Sequence, residues 1–174
     1  MVKVGIIGGS GLDNPQILKQ AGEIEVETPY GGPTSILTRG VIEGVEVVII
    51  ARPGKNHSIF PTRVNFRANI CALKDQGCYH VLSSSAVGSL REGFKPGHLV
   101  FPNQFIDHTK KRESTFFDED VVVHTPMAEP FCSNLIELCS SSAKGMKIPF
   151  HKDKTVITIE GPRFSTKAES HMFR

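Results

Sequence analysis

The chain has 174 residues, 39% hydrophobic and 22% charged, enough for one domain with a real core and too few for two independent ones without strain. Twenty Lys and Arg against eighteen Asp and Glu leave a formal net charge of +2, so no dense basic face argues for nucleic acid as a partner. No apolar run approaches the roughly 18 residues of a spanning helix, and Met1-Val2-Lys3-Val4-Gly5 has strand character rather than that of a secretory leader. A cytoplasmic address is expected, with no membrane partner.

Val2 to Ile7 reads as a buried strand that runs straight into Gly8-Gly9-Ser10-Gly11. Ser35 to Ile42 and Val45 to Ala51 read as two further strands around a Glu43-Gly44 hairpin turn. Pro53, Gly54 and Pro61 then hold an irregular loop that carries Arg52, Lys55, Asn56 and His57. After Pro61 the period changes to that of a helix, with Phe66, Ile70, Leu73 and Gly77 as its stripe, Val64, Ala68 and Cys71 flanking it, and Gly77 at the left-handed position that ends it. Tyr79 to Ser84 follows as a strand, so strand, helix and strand resemble a crossover unit and part of the sheet is expected to be parallel.

Pro96-Gly97 makes a turn before a short strand, His98 to Phe101. Lys110 to Asp120 reads as an exposed loop in which Asp118, Glu119 and Asp120 form a solvated acidic patch, and Val121 to His124 as strand or extended chain. Pro130 suits the first turn of a helix whose buried stripe is Phe131, Leu135 and Leu138, ending at Gly145. Lys154 to Ile159 is a further strand, broken by Gly161-Pro162-Arg163-Phe164, and Thr166 with Glu169 is the signature of a capping box opening a last helix. That helix stops at Arg174 after barely two turns, so a C-terminally incomplete domain is expected, within a longer gene product.

Cys71, Cys78, Cys132 and Cys139 lie in pairs seven apart, which is neither a zinc knuckle nor a redox pair. They read as small buried hydrophobes. The seven histidines show no ligand spacing, and no metal is assigned.

Three segments could carry chemistry. The Gly8-Gly9-Ser10-Gly11 turn can point several amides and a hydroxyl at an anion, although it is neither a dinucleotide fingerprint nor a Walker loop. Arg52, at a strand end, can clamp a phosphate with two donors. Ser84-Ser85-Ala86 offers small hydroxyls and free amides. A folding turn, a surface cation and plain edge serines are the alternatives. All three follow apolar strands, and parallel sheets gather ligands outside the carboxyl ends of their strands. Ser85 lacks the Gly-x-Ser-x-Gly elbow of a hydrolase nucleophile.

Further stretches make a resemblance specific: Val4-Gly5-Ile6-Ile7-Gly8-Gly9-Ser10-Gly11-Leu12, Glu27-Thr28-Pro29-Tyr30-Gly31, Gln104-Phe105-Ile106-Asp107, Pro126-Met127-Ala128-Glu129-Pro130-Phe131-Cys132 and Thr158-Ile159-Glu160-Gly161-Pro162-Arg163-Phe164. The sequence resembles the methylthioadenosine phosphorylase branch of the trimeric purine nucleoside phosphorylase family, collinearly from Met1 to Arg174 and over about the first two thirds of a typical member. The resemblance implies one nucleoside phosphorylase domain over residues 1–174, truncated at its C-terminus. It implies an α/β fold, a three-layer αβα sandwich around a mixed β-sheet, assembled as a homotrimer. It also implies phosphorolysis of 5′-methylthioadenosine to adenine and 5-methylthioribose 1-phosphate, with inorganic phosphate as co-substrate and no cofactor. A sister phosphorylase acting on inosine, guanosine or methylthioinosine is the alternative enzyme, and a truncated inactive homologue that keeps its assembly contacts is the alternative non-enzyme. The family's setting adds the nucleus as a second compartment.

Carried over by motif, Ser10, Arg52, Pro53, Ser85 and Ala86 occupy phosphate-binding positions. Phe164 and Ser165 match nucleoside positions, with Phe164 against base and sugar. His57 lies in the phosphate-side loop, and His124 matches a histidine lent across the trimer interface toward the 5′ end of the sugar. Pro53 stands where the family usually carries a phosphate-contacting histidine, which removes an imidazole and an N–H donor. Ser84 and Ser85 replace threonines and keep the hydroxyls. The purine-binding aspartates of the family are expected beyond residue 174, so no catalytic residue is assigned.

Overall fold

The computed structural model describes residues 2–8, 17–52, 59–117 and 121–174. Its chain contacts fall into two units, residues 1–87 and 88–174.

The first unit is built on a five-stranded mixed sheet ordered β2-β3-β4-β1-β5. β1 is Lys3–Gly8, β2 Lys19–Ile24, β3 Leu37–Ile42, β4 Val45–Ala51 and β5 His80–Ser83. β3 and β4 form the expected hairpin, because Glu43 and Gly44 both take positive φ (46° and 83°), the twist that a two-residue turn between strands requires. β1 pairs in parallel with β4 on one side and β5 on the other, as the crossover pattern implied. The connection from β4 to β5 contains a short 3-10 turn, Pro61–Arg63, and helix α1, Phe66–Asp75. Asn65 caps α1 by accepting the Ala68 amide at 3.1 Å, and Gly77 closes it with φ 79°.

Leu37, Val48, Ile50, Ala72, Leu73 and Cys78 form the main core of this unit, with Leu18, Val47 and Ile49 as a second cluster. The buried face of α1 is therefore Ala68, Asn69, Ala72 and Leu73, while Ile70 is exposed. This corrects the stripe expected at Phe66 and Ile70. The buried polar residue, Asn69, is held: its Oδ1 accepts the Thr34 amide at 2.9 Å and the Thr34 hydroxyl at 3.1 Å.

The second unit contains a two-stranded parallel sheet of β6, Leu99–His108, and β7, Phe150–Ile159. Both strands are longer than expected; β6 continues through Pro102, where the register shifts and relieves the missing amide donor. Helix α2, Ser133–Gly145, connects them, and helix α3, Lys167–Phe173, follows β7. α2 buries Ser140 and Ala143, while Leu138 is exposed, so the expected stripe through Leu138 was placed on the wrong face. Val121 to His124 is exposed and belongs to no strand. The acidic triplet Asp118 to Asp120 lies outside the described residues. All four cysteines are free; Cys78 is buried, Cys71 and Cys139 are half-buried, and Cys132 is exposed, against the expectation that all four fill a core.

Candidate active site

The strands that lead into the three candidate segments, β1, β4 and β5, are neighbours in the first sheet. Parallel pairing sets Gly8 of β1 beside Ala51 of β4, and Ile7 beside Ser83 of β5. Each ladder then runs one residue past its strand. The Arg52 amide donates to the Gly8 carbonyl at 3.1 Å, and the Ser84 amide donates to the Ile7 carbonyl at 3.0 Å. The carboxyl ends of β1, β4 and β5 thus lie side by side with β1 between the others. Ser10 follows β1 by two residues and, like His57 and Pro53, lies outside the described residues.

The end of β4 is braced from the neighbouring segment. The Ala51 amide donates to Ser35 Oγ at 3.0 Å, and buried Asn69 fixes Thr34 beside it. Arg52 is half-buried and directly follows this braced strand end. Ser85 and Ala86 are exposed, and the Ser85 hydroxyl donates to the Ala86 carbonyl at 3.4 Å, a long bond that a better acceptor would replace. The Arg52 and Ser84 amides are used within the ladder, against the expectation of free amides at Ser84, so what this end of the sheet offers a small oxyanion is an arginine fork and serine hydroxyls.

The remaining expected site residues belong to the second unit. His124 is exposed. Phe164 is 91% exposed, directly after the cis Gly161–Pro162 bond and Arg163. Ser165 Oγ lies 2.8 Å from Ser170 Oγ. The expected capping box is present: the Glu169 amide donates to Thr166 Oγ1 at 3.1 Å, and the Thr166 amide donates to Glu169 Oε2 at 2.7 Å.

Two polar arrangements escaped the sequence reading. Arg163 binds Glu169 through two parallel hydrogen bonds of 2.8 and 2.7 Å, and the guanidinium beside it lowers the Glu169 carboxyl to about 2. Glu160 Oε2 accepts the amides of Lys110 and Lys111 at 2.7 and 2.9 Å, and the Lys110 amide foremost holds that carboxyl below its ordinary range. The capping signature identified Glu169 as a cap, but no local pattern shows which cation reaches it. Among the described residues, no group of three or more His, Cys, Asp or Glu is placed to hold a metal ion.

The family model of the phosphorylase superfamily matches residues 3–174. The chain belongs to the phosphorylase superfamily. Within it, the S-methyl-5′-thioadenosine phosphorylase of Drosophila melanogaster is 53% identical over 178 residues, covering 99% of this chain and 62% of that protein. A methylthioadenosine phosphorylase from an Antarctic soil metagenomic library superposes with a TM-score of 0.94 at 42% identity, covering 99% of this chain and 61% of that one. A mutant adenosine/methylthioadenosine phosphorylase of Schistosoma mansoni, solved with methylthioadenosine, gives a TM-score of 0.92 at 41% identity, covering 99% of this chain and 68% of that one. The chain therefore spans a little over three fifths of the Drosophila relative's length. The resemblance to the methylthioadenosine phosphorylase branch, and the α/β fold it implied, are borne out.

Proposed function

We propose that the protein is an S-methyl-5′-thioadenosine phosphorylase, cleaving 5′-methylthioadenosine with inorganic phosphate to adenine and 5-methylthioribose 1-phosphate. One observation carries this reading: the in-register carboxyl ends of β1, β4 and β5, which bring Arg52 and Ser84 to the same end of the sheet in a chain of this superfamily. Phosphate is assigned to Ser10, Arg52, Ser85 and Ala86, with Pro53 contributing no N–H donor. Phe164 and Ser165 are assigned to the nucleoside, and His57 to the phosphate-side loop. His124 is assigned to the sugar bound by a neighbouring copy in a homotrimer. Residues 1–174 are read as part of one nucleoside phosphorylase domain, working in the cytoplasm.

The chemistry follows from the bond that breaks. As the N-glycosidic bond lengthens, positive charge develops on the sugar, and a phosphate held nearby stabilises that charge and attacks the anomeric carbon. The electron pair of the broken bond leaves with adenine, which takes up, in net terms, the proton that hydrogen phosphate gives up on becoming an ester. The protein then has to place an anion and a nucleoside, and no protein nucleophile is required. The test is product analysis on the complete natural protein. Adenine and sugar phosphate in equal amounts support the assignment; adenine with free methylthioribose identifies a hydrolase instead.

A further inference from the structure

We propose that the Arg163–Glu169 pair is a positioning device for the nucleoside wall, acting through the backbone of Phe164 and Ser165 rather than by touching substrate. This rests on the assignment of Phe164 and Ser165 to the nucleoside.

Phe164 is 91% exposed, so within residues 1–174 its place is fixed by its backbone rather than by packing of its side chain. That backbone is held from both ends by one carboxylate. Glu169 Oε2 accepts Arg163 Nη1 at 2.8 Å on one side of the Phe164-Ser165 dipeptide and the Thr166 amide at 2.7 Å on the other. Oε1 accepts Arg163 Nη2 at 2.7 Å, which fixes the plane of the guanidinium. Nη1, so oriented, donates to the Phe164 carbonyl at 2.9 Å. Ser165 is tied to α3 by its contact with Ser170 at 2.8 Å.

An ordinary ion pair does not account for this arrangement. The Arg163 and Glu169 side chains are 56% and 30% exposed, and exposed pairs contribute little to stability. A lysine at 163 would keep the charge but lose the fork that holds carboxylate and carbonyl together. The pair therefore governs where Phe164 points more than whether the helix forms.

The experiment is a kinetic double-mutant cycle on the complete natural protein, with melting temperature as a control. Arg163→Lys and Glu169→Gln should each raise the nucleoside KM about tenfold, the size of one lost charge-assisted hydrogen bond, while the phosphate KM stays within about twofold. Phe164→Ala should raise the nucleoside KM as well, and Arg163→Lys should add nothing in its background. If Phe164→Ala is impaired while Arg163→Lys and Glu169→Gln match the unaltered protein, the clamp is overturned and the nucleoside assignment stands. The clamp is also overturned if Arg163→Lys is fully additive with Phe164→Ala, or if both KM values rise together with a fall in melting temperature. No turnover by the unaltered protein, or an unchanged KM in Phe164→Ala, overturns the underlying assignment and the clamp with it.

Discussion

Arg52 shows how much a single residue can owe to its place in a ladder. Its amide is spent on the Gly8 carbonyl, which leaves the guanidinium to act while the backbone stays fixed. Arg52→Lys would replace two donors in a rigid fork by one mobile ammonium. The phosphate KM should rise roughly tenfold, and initial rates over a phosphate series will show it; an unchanged constant would remove Arg52 from the site. At Glu169 the carboxyl is lowered from an ordinary 4.5 to about 2, first by the Arg163 hydrogen bonds and then by the Thr166 amide. The contribution of such a lowered acid is present above its unfolded value and is lost as pH falls from about 4.5 through about 2, and at this exposed pair it is small. Carbon-detected titration should place the Glu169 midpoint near 2 and move it up toward 4.5 in Arg163→Ala. A midpoint unaffected by that substitution would mean the pair does not form in solution.

Element-level packing yields two stability tests in the first unit. Asn69 is 2% exposed, and its Oδ1 is the acceptor for both donors of Thr34, next to the Ser35 brace on Ala51. Asn69→Ala should cost about 1–3 kcal/mol, because a partly buried amide is left without its acceptor. Gly40→Ala should cost a similar amount, about 1–3 kcal/mol. A Cβ there would sit 2.9 Å from Leu18 Cβ and 3.1 Å from the Lys19 carbonyl, neither of which can swing away. Denaturant unfolding of both variants checks the pair, and a loss below about 0.5 kcal/mol at either position would show that the strand or brace yields. These positions also show what the sequence concealed. β1, β4 and α1 were legible because apolar runs, a Gly-closed helix and a two-residue turn all leave local marks. β2 reads Lys-Gln-Ala-Gly-Glu-Ile with no apolar alternation, being mostly exposed and shifted in register between Lys19 and Gly22. α1 and α2 were read on displaced faces because Asn69, Ser140 and Ala143 are buried without being large or strongly apolar.

At the scale of the whole molecule, the parallel pairing of β1 with β4 and β5 was legible because a strand, helix and strand pattern implies a crossover, and the register sets Gly8 beside Ala51 and Ile7 beside Ser83. The Arg163–Glu169 fork was not, because its meaning lies in a carbonyl contact that no residue spacing announces. The proposed assignment of His124 to the sugar bound by a neighbouring copy requires a homotrimer. Sedimentation velocity on the complete natural protein should then return a trimer, and His124→Ala should impair nucleoside use without dissociating it; an active monomer would contradict the shared site. Phosphate-dependent cleavage is within reach of one direct assay. Purified protein is incubated with 5′-methylthioadenosine, with and without inorganic phosphate, and adenine and sugar phosphate are both quantified. The account requires equal amounts of the two products in phosphate and neither product in its absence; adenine released at the same rate without phosphate, or none released in either case, would contradict it.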